Sequence, residues 1–126
     1  MQISTKQAPA AIGPYSQAIL AGDTLYISGQ LPIDPATGAF AGDTIEAQTQ
    51  QSLANIRAIL AAAGMQMSDI VKTTVYLAHI SDFAAMNGVY AGFFSGACPA
   101  RAAFEVAALP KAALLEIEAV AVRGSR

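Results

Sequence analysis

Two segments of the chain alternate between apolar and other side chains, Ile70–Leu77 (IVKTTVYL) and Leu115–Val122 (LEIEAVAV). Such alternation sends successive side chains to opposite faces of a β-strand, and β-branched residues favour strands. Four residues of the first segment are therefore expected to share one face: Val71, Thr73, Val75 and Leu77. Both segments predict strands of a sheet that needs a covering layer.

Three more strands are predicted from similar but shorter patterns. Ala18–Ala21 and Thr24–Gly29 form a predicted hairpin around Gly22-Asp23, and Ala102–Ala107 precedes the last strand. The intervening Leu31–Gly42 contains two prolines and two glycines, a composition typical of a structured loop.

A first helix is predicted after this loop. Asp43 or Thr44 can cap its N-terminus, with Glu46 at capping-box spacing from Asp43. Gly64 is placed to end it, because glycine adopts the left-handed C′ conformation at little cost. Its core face is predicted from helical spacing to contain Leu53, Ile56 and Leu60.

A second helix is predicted to begin at Ser81 or Asp82 and to end at Gly96, ahead of Pro99. It has an apolar stripe of Phe83, Met86, Tyr90 and Phe93. The predicted order, β-β-α-β-α-β-β, indicates an α+β fold with both helices on one face of a single sheet.

Length and composition favour one domain over residues 1–126 that associates with copies of itself. The chain has 126 residues, enough for one core. Apolar residues make up 54% and charged residues 13%, so little charge is available to cover the surface. Another subunit is the expected cover for the second face of the sheet.

Several classes of function find no support in the sequence. The net charge is −2 and no Lys/Arg cluster occurs, which argues against a nucleic-acid partner. One cysteine (Cys98) and one histidine (His79) do not make a zinc ligand set, and Cys98 is interpreted as a small buried apolar residue. Phosphate-binding glycine motifs are absent, and no apolar segment suggests export or a membrane span, so a cytoplasmic location is expected.

Arg101 is the only charged residue between Asp82 and Glu105 and lies at the start of an apolar segment. A buried guanidinium needs an anion, because an unpaired buried charge is costly. A salt bridge to Glu105, Glu116 or Glu118 would satisfy it. A bidentate grip on a ligand carboxylate would satisfy it equally well.

Glu116 and Glu118 lie two residues apart in the last strand and so share a face. They either face solvent or take part in chemistry, for example by holding a water molecule or transferring a proton. The residues alone favour the solvent-facing alternative.

Four segments, in this order, resemble the Rid family of reactive imine and enamine deaminases, over about residues 5–122. They are Gly13–Ala18 (GPYSQA), Tyr26–Pro32 (YISGQLP), Asn87 with Tyr90 and Phe93, and Pro99–Arg101 followed by Leu115–Ala119 (LEIEA). The resemblance implies a chorismate-mutase-like fold with a mostly antiparallel sheet, and a homotrimer with sites between subunits. It also implies hydrolysis of 2-imino acids to 2-oxo acids and ammonia, without a cofactor.

The resemblance assigns roles to individual residues. Arg101 matches the carboxylate-binding arginine, and Glu116 matches the acidic residue that helps to position water. Tyr15, Ser28, Gly29 and Asn87 match pocket positions, and a backbone carbonyl at Ala103 is expected to contact the same water. Asn87 could also be an ordinary polar residue on an exposed helical face.

One departure from the family concerns Ala102-Ala103, where many active members have polar side chains. A hydroxyl or thiol role is lost there, and Cys98 does not occupy the family's cysteine position. Three other functions stay open: a binding module for small carboxylates, RNA cleavage or translational inhibition, and a holdase that uses apolar surface.

Overall fold

The computed structural model describes residues 1–125 and contains one six-stranded sheet and two α-helices. The strands are β1 (Gln2–Ile3), β2 (Ala18–Ala21), β3 (Thr24–Gln30), β4 (Ile70–Leu77), β5 (Ala100–Glu105) and β6 (Leu115–Val122). The helices are α1 (Ile45–Ala62) and α2 (Phe83–Ala91). This confirms the α+β class and the predicted order of elements, to which the structure adds β1.

The sheet has the strand order β1-β2-β3-β6-β4-β5. All neighbouring pairs are antiparallel except β4 and β5, which run parallel, so the sheet is mixed but mostly antiparallel. β5 pairs only with β4 and forms one edge of the sheet. Its backbone groups on the outer side are therefore available to another molecule.

Both helices lie on the same face of the sheet. α1 packs against β3, β6 and α2, and Tyr90 of α2 shares a 2.6 Å hydrogen bond with Thr73 of β4. The core between these layers includes the predicted α1 residues Leu53, Ile56 and Leu60, all fully buried. Alternate β6 residues Leu115 and Ile117 complete it.

The predicted inward face of β4 is wrong at one position. Thr73, Val75 and Leu77 are buried as expected, but Ile70 is buried in place of Val71. The register with β6 shifts between Ile70 and Lys72, which reverses the alternation at the start of the strand.

The ends of α1 match the sequence pattern more closely than those of α2. Thr44 is the N-cap and accepts a 3.1 Å hydrogen bond from the Ala47 N–H, so Asp43 and Glu46 do not form the capping box. Gly64 follows the C-cap with a φ of 71°.

The second helix is shorter than predicted. It begins at Phe83, with Asp82 in the N-cap position, and ends at Ala91, before Gly92. Phe93 therefore lies beyond the helix, and Gly96 belongs to the loop that leads into β5. β5 begins at Ala100, two residues earlier than predicted, so that Arg101 is paired within the sheet.

Two buried amides of α1 fix the loops around it. The Asn55 Nδ2 donates to the carbonyls of Leu31 and Ile33, which holds the predicted loop against the helix. The Gln48 side chain donates to the Gly42 carbonyl and accepts from the Leu114 N–H, immediately before β6. These contacts determine the positions of two segments that border the site described below.

The face of the sheet opposite the helices carries exposed apolar side chains. Ile19, Tyr26 and Phe104 are 42%, 53% and 44% exposed on β2, β3 and β5. Tyr26 pairs in register with Ile19 and with Val120 of β6, so part of this surface is continuous across strands. Within residues 1–125, no helix is long and apolar enough to cross a membrane.

Candidate active site

Arg101 lies on the helix side of β5. It pairs in register with the fully buried Thr73, and the two side chains point to the same face of the parallel pair. Its guanidinium is half-buried against α2. There NH1 donates a 2.7 Å hydrogen bond to the Asn87 Oδ1.

Two aromatic rings complete this environment. The guanidinium carbon of Arg101 lies 4.9 Å from the centre of the Tyr90 ring and 5.3 Å from that of Phe83. Arginine stacks favourably on aromatic rings because its planar cation is weakly hydrated. We call Arg101, Asn87, Tyr90 and Phe83 the arginine half-site.

The salt bridge considered for Arg101 is not formed within residues 1–125. Glu105 accepts a 2.8 Å hydrogen bond from the Ile80 N–H, and Glu118 accepts one from the Tyr76 hydroxyl. Glu116 lies beside Gly29 instead. The guanidinium therefore keeps donors that no carboxylate of the described chain occupies.

Glu116 is part of a different constellation. It lines a cavity of about 570 Å³ together with Tyr15, Ser28 and Gly29. The apolar wall of this cavity comes from Pro9, Ala10, Ile12, Leu31, Ile33 and Pro110. We call Glu116, Tyr15, Ser28 and Gly29 the glutamate half-site.

A bulge in β3 shapes the glutamate half-site. The register with β6 shifts between Ile27 and Gln30, which leaves Ser28 and Gly29 outside the regular ladder. The Ser28 hydroxyl donates a 2.6 Å hydrogen bond to the Ser16 carbonyl and ties β3 to the Tyr15 segment. Tyr15 itself is 52% exposed.

Burial and neighbouring carboxylates raise the pKa values of two groups in this region, Glu116 and Tyr76. Burial, with a smaller contribution from the Glu118 carboxylate, raises the pKa of Glu116 above its ordinary value. The hydrogen bond to Glu118, together with burial and the two glutamate charges, raises the pKa of Tyr76 to about 12. Glu116 is thus a half-buried carboxyl with increased basicity, suited to accept a proton from water.

The two half-sites do not meet within one chain. Arg101 is in register with Thr73 and Glu116 with Tyr76, and these two β4 residues, three apart, point to opposite faces of the sheet. β4 also separates β5 from β6. Any site that combines Arg101 with Glu116 therefore needs residues from two copies of the chain.

Some features of the site were not predicted from the sequence. Phe83 and Tyr90 formed a predicted apolar stripe, but nothing in its spacing indicated that both rings contact Arg101. Lys111, in the turn before β6, lines the same cavity as Glu116. Cys98 is exposed in the loop before β5, so its interpretation as a buried residue is wrong; Pro99 is the buried residue there.

The described residues offer no cluster of three histidine, cysteine, aspartate or glutamate side chains that could bind a metal ion. The donors present are those of an arginine, an amide, hydroxyl groups and a carboxylate. Such groups can bind an anionic organic molecule and hold water beside it.

Comparison with known proteins shows which family the chain belongs to. A family model described as Endoribonuclease L-PSP matches residues 5–123. The RutC family protein y4sK of Sinorhizobium fredii is 59% identical over 94% of this chain and 94% of its own length. The 2-iminobutanoate/2-iminopropanoate deaminase of Capra hircus is 55% identical over 97% of this chain and 89% of its own length.

Solved structures agree with these matches. RidA from an Antarctic Psychrobacter has a TM-score of 0.93 and 48% identity, covering 97% of this chain and 98% of its own. Escherichia coli TdcF, crystallised with bound serine, has a TM-score of 0.94 and 44% identity, covering 98% of both chains.

Proposed function

The chain belongs to the Rid family, whose family model carries the description Endoribonuclease L-PSP, and we propose that it hydrolyses reactive 2-imino acids to 2-oxo acids and ammonia. The observation that carries the proposal is the guanidinium of Arg101, oriented by Asn87 and two rings and left without a carboxylate partner in residues 1–125. A relative named for this activity is 55% identical over nearly the whole chain.

Arg101 binds the substrate carboxylate through the fork of donors that Asn87 leaves open. Bidentate pairing fixes the plane of the carboxylate and therefore the direction of the adjoining C=N bond. Positioning of this kind lowers the barrier. No covalent bond between substrate and enzyme is needed, because the protonated imine carbon is already electrophilic. The solved structure of a relative with bound serine supports a small amino-acid-like ligand.

Glu116 accepts a proton from the attacking water. The water oxygen bonds to the imine carbon, the C=N π electrons pass to nitrogen, and the water proton passes to the Glu116 carboxylate. This gives a carbinolamine. Glu116 returns this proton to the nitrogen. The hydroxyl proton then passes to the Glu116 carboxylate as the C=O bond forms and the C–N bond breaks, which gives the 2-oxo acid and ammonia. Ammonia takes up the proton from Glu116 and leaves as ammonium. General acid–base assistance of this kind contributes about 10²- to 10⁴-fold.

The backbone carbonyl of Ala103 is the proposed second contact of this water. Ala103 lies two residues after Arg101 on the same face of β5, at the edge of the sheet. Since a carbonyl is present whatever the side chain, the alanines at 102 and 103 leave this contact intact. Tyr15, Ser28 and Gly29 form the wall opposite it.

A homotrimer supplies the missing half of each site. Because the half-sites lie on opposite faces of the sheet, Arg101 of one subunit faces Glu116 of the next across an interface. The exposed Ile19, Tyr26 and Phe104 provide the apolar surface that such an interface buries. We assign this trimer to the cytoplasm.

The principal test uses imine made in the assay. A threonine dehydratase generates 2-iminobutyrate, and its loss is followed against spontaneous hydrolysis. Arg101→Ala should lower kcat/KM by about 10²- to 10⁴-fold, because two charge-assisted hydrogen bonds are lost. Arg57→Ala is the matched control, since Arg57 also stacks on a ring, that of Phe93 at 5.2 Å, but lies outside both half-sites. Wild-type activity in Arg101→Ala would refute the role of Arg101.

A mixing experiment tests the shared site. Arg101→Ala and Glu116→Ala subunits are each inactive alone, but mixed trimers contain interfaces with one intact Arg101 and one intact Glu116. Random mixing in equal amounts restores about a quarter of the sites. If mixing after dissociation and reassembly restores nothing, while the wild type treated in the same way recovers, the two half-sites are not combined across an interface.

Cleavage of RNA is the second function that the family description raises. The net charge of −2 and the absence of a lysine and arginine cluster disfavour it, because binding to a phosphate backbone depends on such charge. RNA degradation that copurifies with the protein and persists unchanged in Arg101→Ala would favour a separate nuclease activity.

A further inference from the structure

The turn before β6 holds two consecutive residues in an unusual backbone conformation. Lys111 and Ala112 both have a φ of 57°, the left-handed region that residues with a Cβ atom rarely adopt. Glycine would occupy either position without strain. Such a conformation persists where the surrounding structure holds the backbone in place.

The surrounding contacts hold this turn in place. The Ala113 N–H donates to the Pro110 carbonyl at 3.1 Å, and Ala113 is 2% exposed. The following Leu114 is fixed on both sides, since its N–H donates to Gln48 and its carbonyl accepts from Ala78. These contacts hold the backbone that follows Lys111 in place at the edge of the cavity.

Lys111 lies where two cavities adjoin. It lines the cavity of about 570 Å³ that contains Glu116, and also a neighbouring cavity of about 700 Å³ that contains Lys6. Tyr15 and Ile12 line both. Among the described residues, Lys111 is the only cationic side chain that lines the cavity of the glutamate half-site.

The ammonium of Lys111 is not engaged by a carboxylate. Within residues 1–125, no acidic side chain comes within ion-pair distance of it, and Glu116 is no exception. Its charge is therefore exerted on whatever enters the cavity. An approaching 2-imino acid carries a carboxylate, which the Glu116 and Glu118 charges and the net charge of −2 repel.

We propose that Lys111 is a substrate-capture residue, whose ammonium attracts the carboxylate of the imino acid into the cavity of the glutamate half-site. The inference rests on the proposed function for the identity of the substrate. Lys111 speeds the association of substrate with the site, and Arg101 of the neighbouring subunit holds the substrate carboxylate during the reaction. The expected signature is a lower kcat/KM at nearly unchanged kcat when the charge is removed.

Four variants separate the charge of Lys111 from its backbone. At low salt, Lys111→Met lowers kcat/KM for 2-iminobutyrate by about tenfold, whereas Lys111→Arg retains most of it. Lys111→Gly shows the same kinetic loss as Lys111→Met with equal or greater thermal stability, because glycine relieves the strained φ. Arg57→Met removes one positive charge elsewhere on the surface and is the control for net charge.

Ionic strength provides the decisive readout. The Debye length falls from about 30 Å at 0.01 M salt to about 3 Å at 1 M, so capture by a surface charge is lost at high salt. The kcat/KM of the wild type should fall as salt is added, until it equals that of Lys111→Met. The kcat/KM of Lys111→Met should depend less on salt.

Two results would overturn the inference. One is a Lys111→Met variant that equals Arg57→Met at every salt concentration. The other is a Lys111→Gly variant with wild-type kinetics. If the wild type does not hydrolyse imine at all, the proposed function fails instead. Binding of 2-oxobutyrate by calorimetry then tests capture on its own, and affinity equal in wild type and Lys111→Met refutes it.

Discussion

Gly29 and Glu116 are so close that the site has no room for a side chain on Gly29. A Cβ atom built on Gly29 would lie 2.8 Å from Oε2 and 2.9 Å from Cδ of Glu116. Gly29 does not have a positive φ, so its lack of a side chain serves the carboxylate and not the backbone. The bulge of β3 brings Gly29 to this position beside the half-buried Glu116.

Gly29→Ala should therefore displace the Glu116 carboxylate while the chain stays folded. The atoms that must move belong to a side chain and not to the backbone. If Glu116 serves as the proton acceptor, imine hydrolysis falls by about 10²-fold or more. Steady-state kinetics and thermal unfolding by circular dichroism measure the two effects.

Gly88→Ala is the control for Gly29→Ala. A Cβ atom on Gly88 meets nothing within 4 Å, and Gly88 lies in α2, where alanine is the better helix former. This variant should keep its activity. A Gly29→Ala enzyme as active as Gly88→Ala would mean that the position of the Glu116 carboxylate is unimportant.

The acid side of the pH–rate profile should follow Glu116. A carboxylate must be ionised to accept a proton, so activity rises with pH through the raised pKa of Glu116. Glu118→Gln removes the neighbouring like charge and lowers the pKa of Glu116, so the acid limb moves to lower pH. The glutamine oxygen can still accept from Tyr76, which preserves the packing.

The pH–rate profile of Glu118→Gln is expressed as a fraction of that variant's own maximal activity. Glu105→Gln is the control. Glu105 also lies within the sheet, but its carboxylate contacts the Ile80 N–H and not Glu116. An acid limb that stays at the wild-type position in Glu118→Gln would show that Glu116 does not control it.

Strand positions were predicted more accurately than helix ends and site contacts. β2, β4 and β6 begin and end where the alternation indicated, because burial of one face imposes a period of two on the sequence. Phe93 extended an apolar stripe beyond the true end of α2, since its packing does not require a helix. β1 was missed because two residues carry too little pattern.

The site was predictable only in part for a related reason. The residues alone drew attention to Arg101 and to Glu116 with Glu118, but left a salt bridge of Arg101 equally plausible. The resemblance assigned roles to Arg101 and Glu116 and added Asn87. Only the paired strands show that Arg101 and Glu116 occupy opposite faces. The contact between Gly29 and Glu116 depends on a bulge, which no periodicity in β3 indicates.

Glu116→Gln should make the protein more stable near neutral pH even as it loses activity. The pKa of Glu116 is higher in the folded chain than in the unfolded one, so the folded state binds this proton more tightly. Protonated Glu116 thus stabilises the fold relative to ionised Glu116. This stabilisation is fully present below the unfolded pKa and is lost as pH rises through the folded pKa. Glutamine avoids that loss because it does not ionise.

The measurement is the free energy of unfolding in denaturant as a function of pH. All samples have one protein concentration, so that the proposed assembly contributes equally to each. The free energy of unfolding of Glu116→Gln should exceed that of the wild type above the raised pKa of Glu116. The difference should vanish well below that pKa. A gain independent of pH would indicate better packing instead of the removal of a half-buried charge.

Asn87→Asp should weaken carboxylate binding without changing the shape of the site. The Asn87 Oδ1 accepts from NH1 of Arg101 at 2.7 Å, and an aspartate oxygen can take the same place. Its negative charge would neutralise the guanidinium and compete with the substrate carboxylate. KM for 2-iminobutyrate is expected to rise by about tenfold, equivalent to roughly 1.4 kcal/mol of lost binding.

Asn87→Ala separates charge from orientation, because it removes the hydrogen bond to Arg101 but adds no charge. Affinity for 2-oxobutyrate, measured by calorimetry, should decrease in the order wild type, Asn87→Ala, Asn87→Asp. Equal affinity in Asn87→Asp and wild type would mean that the carboxylate binds elsewhere. A weaker Asn87→Ala than Asn87→Asp would assign Asn87 to orienting the guanidinium, with its neutrality of no consequence.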